Sequence, residues 1–172
     1  MWKKNVVNLV TAILMAFPLA APVVPSVDAA LPPVERVVVY KSRHLMQLCK
    51  GNDVIRSYRV ALGRNPVGPK QRSGDCRTPE GTYTIDRHNK ESRYYKSLHI
   101  SYPNIQDLAR ARNHGNSPGG RIMIHGLPKG FEDLGDLHFR TNWTKGCIAV
   151  NNTEMDELWR LIADGTPITI NP

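Results

Sequence analysis

The sequence predicts a mostly β domain with a few helices (α+β), and three observations carry that reading. Short β-branched or alternating apolar runs recur along the chain, bounded by turns of Gly, Asn, Asp and Pro. Only two stretches, residues 103–112 and 153–164, place apolar side chains at helical spacing. The 172 residues are enough for one sizeable core and too few for two ordinary domains.

Residues 1–29 stand apart from this domain. Lys3 and Lys4 precede a largely apolar run over residues 6–21, and Val27-Asp28-Ala29 offers small residues at cleavage spacing. This is the pattern of a secretory signal peptide, which leaves residues 30–172 as a single domain. Pro18 and Pro22 interrupt the apolar run, which falls short of the ~20 residues a membrane span needs. No stable membrane span is expected after cleavage. The whole chain has 23 basic and 15 acidic side chains, and removing Lys3, Lys4 and Asp28 leaves 21 and 14, a net charge of +7. Such a charge draws a protein towards polyanions, or simply solvates its surface. The export signal argues against nucleic acid as the partner.

The elements follow in order. Residues 34–62 read as a meander of three strands: Arg36-Val37-Val38-Val39-Tyr40, then Leu45-Met46-Gln47-Leu48-Cys49, then a return over 54–62. Ser42-Arg43 and Gly51-Asn52-Asp53 make the turns, and this meander is expected at the edge of the sheet. Residues 63–81 form a long loop with Pro66, Gly68, Pro69, Gly74 and Pro79, and with Arg64, Lys70, Arg72 and Arg77. A loop of that length is functional or mobile. Its basic residues suit substrate carboxylates, or do nothing specific. Strands are expected at 82–85 and 97–101, where His99 packs or hydrogen-bonds. A helix is expected over 103–112 with Ile105, Leu108 and Ala109 as its apolar face. Arg121-Ile122-Met123-Ile124 reads as a buried strand with His125 at its end. An irregular stretch at 127–143 carries His138, Phe139 and Trp143. The last helix opens on a capping box at Thr153–Asp156, shows Met155, Leu158, Trp159 and Ile162 on one face, and stops at Gly165. A short strand, Pro167-Ile168-Thr169-Ile170, closes the chain.

The chemistry concentrates in Thr144-Lys145-Gly146-Cys147. A thiol becomes a nucleophile when an imidazole takes its proton and nearby positive charge favours the thiolate. His125, twenty-two positions earlier at the end of an apolar run, and His138 are the candidate bases. Cys49, Cys76 and Cys147 are an odd number in an exported chain, so at least one thiol is unpaired. If Cys147 is the nucleophile, Cys49 and Cys76 remain to pair or stay free, and the burial expected of Cys49 argues for the latter.

His125-Gly126 followed by Thr144-x-Gly146-Cys147, with Asn152 five residues past the cysteine, resembles the YkuD-type L,D-transpeptidases of bacterial cell walls. The segments 58–63, 78–83 and 92–96 are similar to the same family in order, and to its YafK-like branch. The resemblance covers about residues 34–170 and implies a compact β-sandwich or barrel-like domain acting in the periplasm. It implies Cys147 as nucleophile, His125 as proton donor and acceptor, the Gly126 backbone as its orienter, and the Gly146 backbone as an oxyanion donor. Thr144, Lys145, Asn152, Arg64, Lys70 and Arg72 are the expected substrate-binding residues. Glu80, in the segment 78–83, is expected to be structural.

Two departures bear on activity. Most members carry Arg two residues past the cysteine, where this chain has Ala149, and many carry His where it has Lys145. The implied reaction is acyl transfer through a thioester with a peptidoglycan stem peptide, without metal or organic cofactor. A thiolate–imidazolium pair, aided by Lys145, would start it. Hydrolysis of stems, or release of a peptidoglycan-attached outer-membrane protein, is the alternative that Ala149 favours. An inactive wall-binding module and a metal site of Cys147, His125 and His138 are more remote, the latter lacking a fourth ligand.

Overall fold

Strand β1 (Arg36–Tyr40) sets the pattern of the sheet: Val37 and Val39 are fully buried while their neighbours are half-exposed, the period of two that a pleated strand imposes. The structure is a computed structural model and describes residues 33–172; the expected signal segment 1–29 lies outside the described residues. β2 (Leu45–Lys50) and β3 (Asp53–Arg59) follow β1 as an antiparallel meander. Within the meander only β3 lies at the edge, because β1 also pairs in parallel with the last strand, β8 (Thr166–Asn171), Val37 standing opposite Ile168.

β4 (Gly81–Asn89), β5 (Ser97–Ile100), β6 (Met123–His125) and β7 (Ile148–Ala149) complete one eight-stranded sheet, in the order β3-β2-β1-β8-β4-β5-β6-β7. The sheet curls until its ends meet. Beyond β3, Ala61 exchanges both backbone hydrogen bonds with Ala149, at 3.0 and 2.8 Å. This single bridge ties the chain just beyond β3 to β7 and so brings the two ends of the sheet together. The expected barrel-like, mostly β domain is what forms.

β4 runs well past the expected 82–85. Its second half is polar and carries no apolar alternation; pairing with β5 holds it instead, with a register shift between Ile85 and Arg87. His99 hydrogen-bonds Asp86 at 2.6 Å, the structural role expected of it.

α1 (Ile105–Asn113) is capped by Asn104 and Asp107 in a reciprocal box. Its buried face differs from the expected one. Ile105 is 84% exposed and Leu108 45%, whereas Asp107 and Ala111 are buried. Burial of Asp107 is made tolerable by hydrogen bonds from Tyr83 Oη, Arg110 and the Asn104 amide.

α2 (Asn152–Leu161) lays Met155 and Leu158 into the core cluster, together with the following Ile162. Its capping box is Asn151 with Glu154, two residues before the expected one. The helix itself ends at Leu161, before Gly165. Glu80, as expected, is structural: it pairs with the buried Lys41 at 2.7 Å. No helix among the described residues is long and apolar enough to cross a membrane.

Candidate active site

His125 ends β6 and is almost wholly enclosed, 2% exposed. Its Nδ1 lies 2.7 Å from the Gly126 carbonyl. A carbonyl only accepts, so Nδ1 carries the proton and Nε2 presents a lone pair, the tautomer a base requires. Burial pushes the imidazole down to about 4, against the pull of that carbonyl, so it is neutral at pH 7. Tyr94 stacks on the ring with centroids 4.1 Å apart, and Trp143 meets it edge-on at 5.6 Å. Aromatic walls of this kind keep water off the base.

The turn after His125 is tightly held. A Cβ at Gly126 would lie 2.7 Å from both Asn152 Oδ1 and the Tyr95 carbonyl. Asn152 Oδ1 accepts from the Leu127 amide at 2.8 Å, and Gly126 N–H donates to Tyr95 O at 2.9 Å. Asn152, expected to bind substrate, thus pins the strand end that carries the base.

Thr144 is likewise a support. Its hydroxyl, 4% exposed as a residue, accepts from Gly146 N at 3.0 Å and donates to Cys147 O at 2.7 Å, tying the Cys147 turn to itself. The Gly146 amide is therefore engaged and does not face a substrate carbonyl. Gly146 has φ +128°, and a Cβ there would stand 2.6 Å from Arg77 O. Only glycine fits at that position.

Cys147 directly precedes β7. Ala149 stands opposite His125 in the parallel register, so strand alternation sends the side chains of residues 147 and 125 off the same face. Sγ makes a weak 3.6 Å contact with Arg121 O. Burial pushes the thiol above its ordinary value, opposed by a hydrogen bond from the Met123 backbone and by the charge of Lys70. Enclosure thus favours the neutral form of each partner, and so works against the expected thiolate–imidazolium pair.

The cation that reaches the thiol is Lys70, while Lys145 is exposed. Lys70 does not sit on an open basic rim: it is 4% exposed, with Nζ 2.7 Å from Asp75 and 3.1 Å from Arg72 O. Asp75 also accepts from the Gln71, Arg72 and Arg77 amides. This knot folds the 63–81 loop against the Cys147 turn, where Arg64 N–H donates to Thr144 O at 3.1 Å. The Arg64 and Arg72 side chains are exposed beside it. Cys76 and Arg121, with φ +55° each, hold the left-handed conformation that non-glycine residues avoid. Both adjoin the thiol's turn.

The rival base, His138, is buried among Gly135 and Phe139, with Nε2 enclosed and unpartnered. Phe139 lies under Arg59 and anchors its loop. All three cysteines are free. Among the described residues no group of three or more His, Cys, Asp or Glu is placed to hold a metal ion. Tyr94 and Asp75 were missed as site residues: Tyr94 lies in the family-like segment 92–96, which carried no expected role, and Asp75 lies in no motif.

The profile of the YkuD family, the L,D-transpeptidase catalytic domain, matches residues 34–170. The chain belongs to this family. The L,D-transpeptidase domain is 34% identical to YafK of Escherichia coli strain K12 over 111 residues, 63% of this chain and 37% of that protein. It resembles the helical cell shape determining protein Pgp2 of Campylobacter jejuni, with TM-score 0.60 and 26% identity over 80% of this chain and 47% of that one. The fold recurs in an L,D-transpeptidase of Xylanimonas cellulosilytica, with TM-score 0.53 and 14% identity over 80% of this chain and 60% of that chain. The chain spans little more than a third of its curated relatives and about half of Pgp2.

Proposed function

We propose that this L,D-transpeptidase domain acts in the periplasm, after removal of residues 1–29, as a cysteine acyltransferase on peptidoglycan stem peptides. The observation that carries the reading is the neutral, tautomer-fixed His125 held on the strand beside Cys147. His125 Nε2 takes the thiol proton as Sγ attacks the carbonyl before the terminal D-alanine of a tetrapeptide stem. The Lys70 ammonium, held by Asp75, steadies the sulfur as it gains negative charge. With the Gly146 amide held by Thr144, the Cys147 amide is the backbone donor left for the oxyanion. Collapse breaks the peptide bond; His125 returns the proton to the departing D-alanine amine, and a thioester remains. An amine of a second stem attacks the thioester, loses its proton to His125 and leaves as the cross-linked product, regenerating the thiol. Neither a metal nor an organic cofactor enters these steps.

Ala149 supports a second reading, hydrolysis. It is fully buried and hydrogen-bonded to Ala61, so no cation stands at that position to hold an acceptor. Water would then resolve the thioester, on a free stem or on a stem attached to an outer-membrane protein. Mass spectrometry of products from purified disaccharide-tetrapeptide separates the readings. A dimer lacking one D-alanine identifies a transpeptidase, and tripeptide monomer alone identifies a hydrolase. No change, with Cys147 still alkylatable, refutes both on this stem.

A further inference from the structure

Beside the base lies a second cavity, of about 460 Å³, that neither the nucleophile nor its turn uses. Lys90, Arg93, Tyr94, Tyr95, Lys96 and Lys129 line it. Tyr94 is the shared wall: one face stacks on His125 while the residue borders the cavity. Four cations surround the space and one acid, Glu132, belongs to its lining. Lys96 is held by Asp156 at 2.6 Å. Among the described residues no ion pair involves Lys90, Arg93 or Lys129. Glu132 turns to the Gly130 amide at 2.8 Å.

The back of the cavity is rigid. Tyr95 exchanges backbone hydrogen bonds with Gly126 and Leu127, and its hydroxyl donates to Asp156 on α2. Uncommitted cations on a fixed wall attract an anion without first breaking internal pairs.

We propose that this cavity is a subsite for the side-chain carboxylates of the stem peptide, with Arg93 and Lys129 as its principal contacts. The proposal rests on the acyl-transfer reading and names where its substrate is held. Arg93 supplies the planar fork that matches a carboxylate, and Lys129 a second point charge in the same lining. Tyr94 borders the cavity and covers one face of His125, so a stem anchored here lies against the ring that shields the base.

The test is calorimetric binding to the Cys147→Ala protein, which cannot turn over. The probes are a tetrapeptide stem with free side-chain carboxylates and the same peptide with those groups amidated. The free peptide is expected to bind about tenfold tighter. Arg93→Ala with Lys129→Ala should erase that difference, and Arg112→Ala, on exposed α1 surface, should keep it. Equal affinity for the two peptides, no binding of either, or a difference that survives the double variant overturns the subsite. Acylation of Cys147 in the unmodified protein is read separately by mass. Equal acylation and equal binding of the two peptides would sink the subsite and leave acyl transfer standing. Tight, carboxylate-dependent binding without any acyl-Cys147 would do the reverse.

Discussion

Tyr94 lies almost flat on His125, the ring planes inclined by 18° and the centroids 4.1 Å apart. Together with the Gly126 carbonyl, this contact fixes the imidazole as a neutral, oriented base.

His125 makes stability depend on pH in a defined window. Its imidazole titrates near 6.5 when unfolded and near 4 when folded, so the unfolded chain binds the extra proton between those values. The contribution is fully present above pH 6.5 and is lost as the pH falls to about 4. It amounts to about 3 kcal/mol for this one group. Urea unfolding at pH 4.5 and 7 should show a smaller difference for His125→Asn than for the parent. An unchanged difference would show that the histidine is not buried neutral.

Cys147 should react as a thiol rather than a resting thiolate. Burial holds its pKa above the usual value, so the rate of iodoacetamide alkylation is expected to climb steadily from pH 7 to 9. A plateau already reached at pH 7 would restore the thiolate–imidazolium pair.

Cys147→Ala should abolish acyl transfer and hydrolysis, while Cys76→Ala and Cys49→Ala retain them. Cys49 is 3% exposed, so its truncation should cost about 1 kcal/mol of stability without touching the chemistry. Activity in Cys147→Ala together with its loss in Cys76→Ala would move the nucleophile to Cys76.

Thr144→Val removes the acceptor of the Gly146 amide and the donor to Cys147 O. Activity should fall by about 10²-fold and stability by about 1–3 kcal/mol, with Thr144→Ser retaining both. Full activity in the valine variant, measured as kcat, would remove Thr144 from the positioning of the thiol.

Two glycines separate space from backbone conformation. Gly74 has φ +79° and open space, with nothing within 4 Å, where an alanine methyl would stand, so Gly74→Ala should lose only about 1 kcal/mol. Gly146→Ala adds a 2.6 Å clash with Arg77 O and should abolish activity and unfold at markedly lower urea. Similar unfolding midpoints for both variants would show that the 63–81 loop is not seated against the nucleophile turn.

The strands are legible in the sequence where one face is apolar. β1, with Val37 and Val39 inward, is readable to the residue because alternation is a local signal. The polar second half of β4 is not, since pairing with β5 rather than its own composition makes it a strand. The helix-forming residues of α1 reveal the helix but point to the wrong buried face. Asp107 lies inward only because Tyr83, distant in sequence, meets it there.

By itself the sequence determined the family, because a short motif keeps each residue type next to the backbone that surrounds it. Tertiary structure alone decided the roles of Thr144, Asn152 and Lys70. Each is a residue expected to touch substrate, yet each is committed to holding the site: Thr144 to the turn, Asn152 to Leu127 and Lys70 to Asp75. It also set the direction in which burial moves the two groups, the imidazole downward and the thiol upward. Charge in a side chain depends on how completely the surrounding chain excludes water, and that enclosure is set by segments 92–96, 121–127 and 143–149 meeting in space.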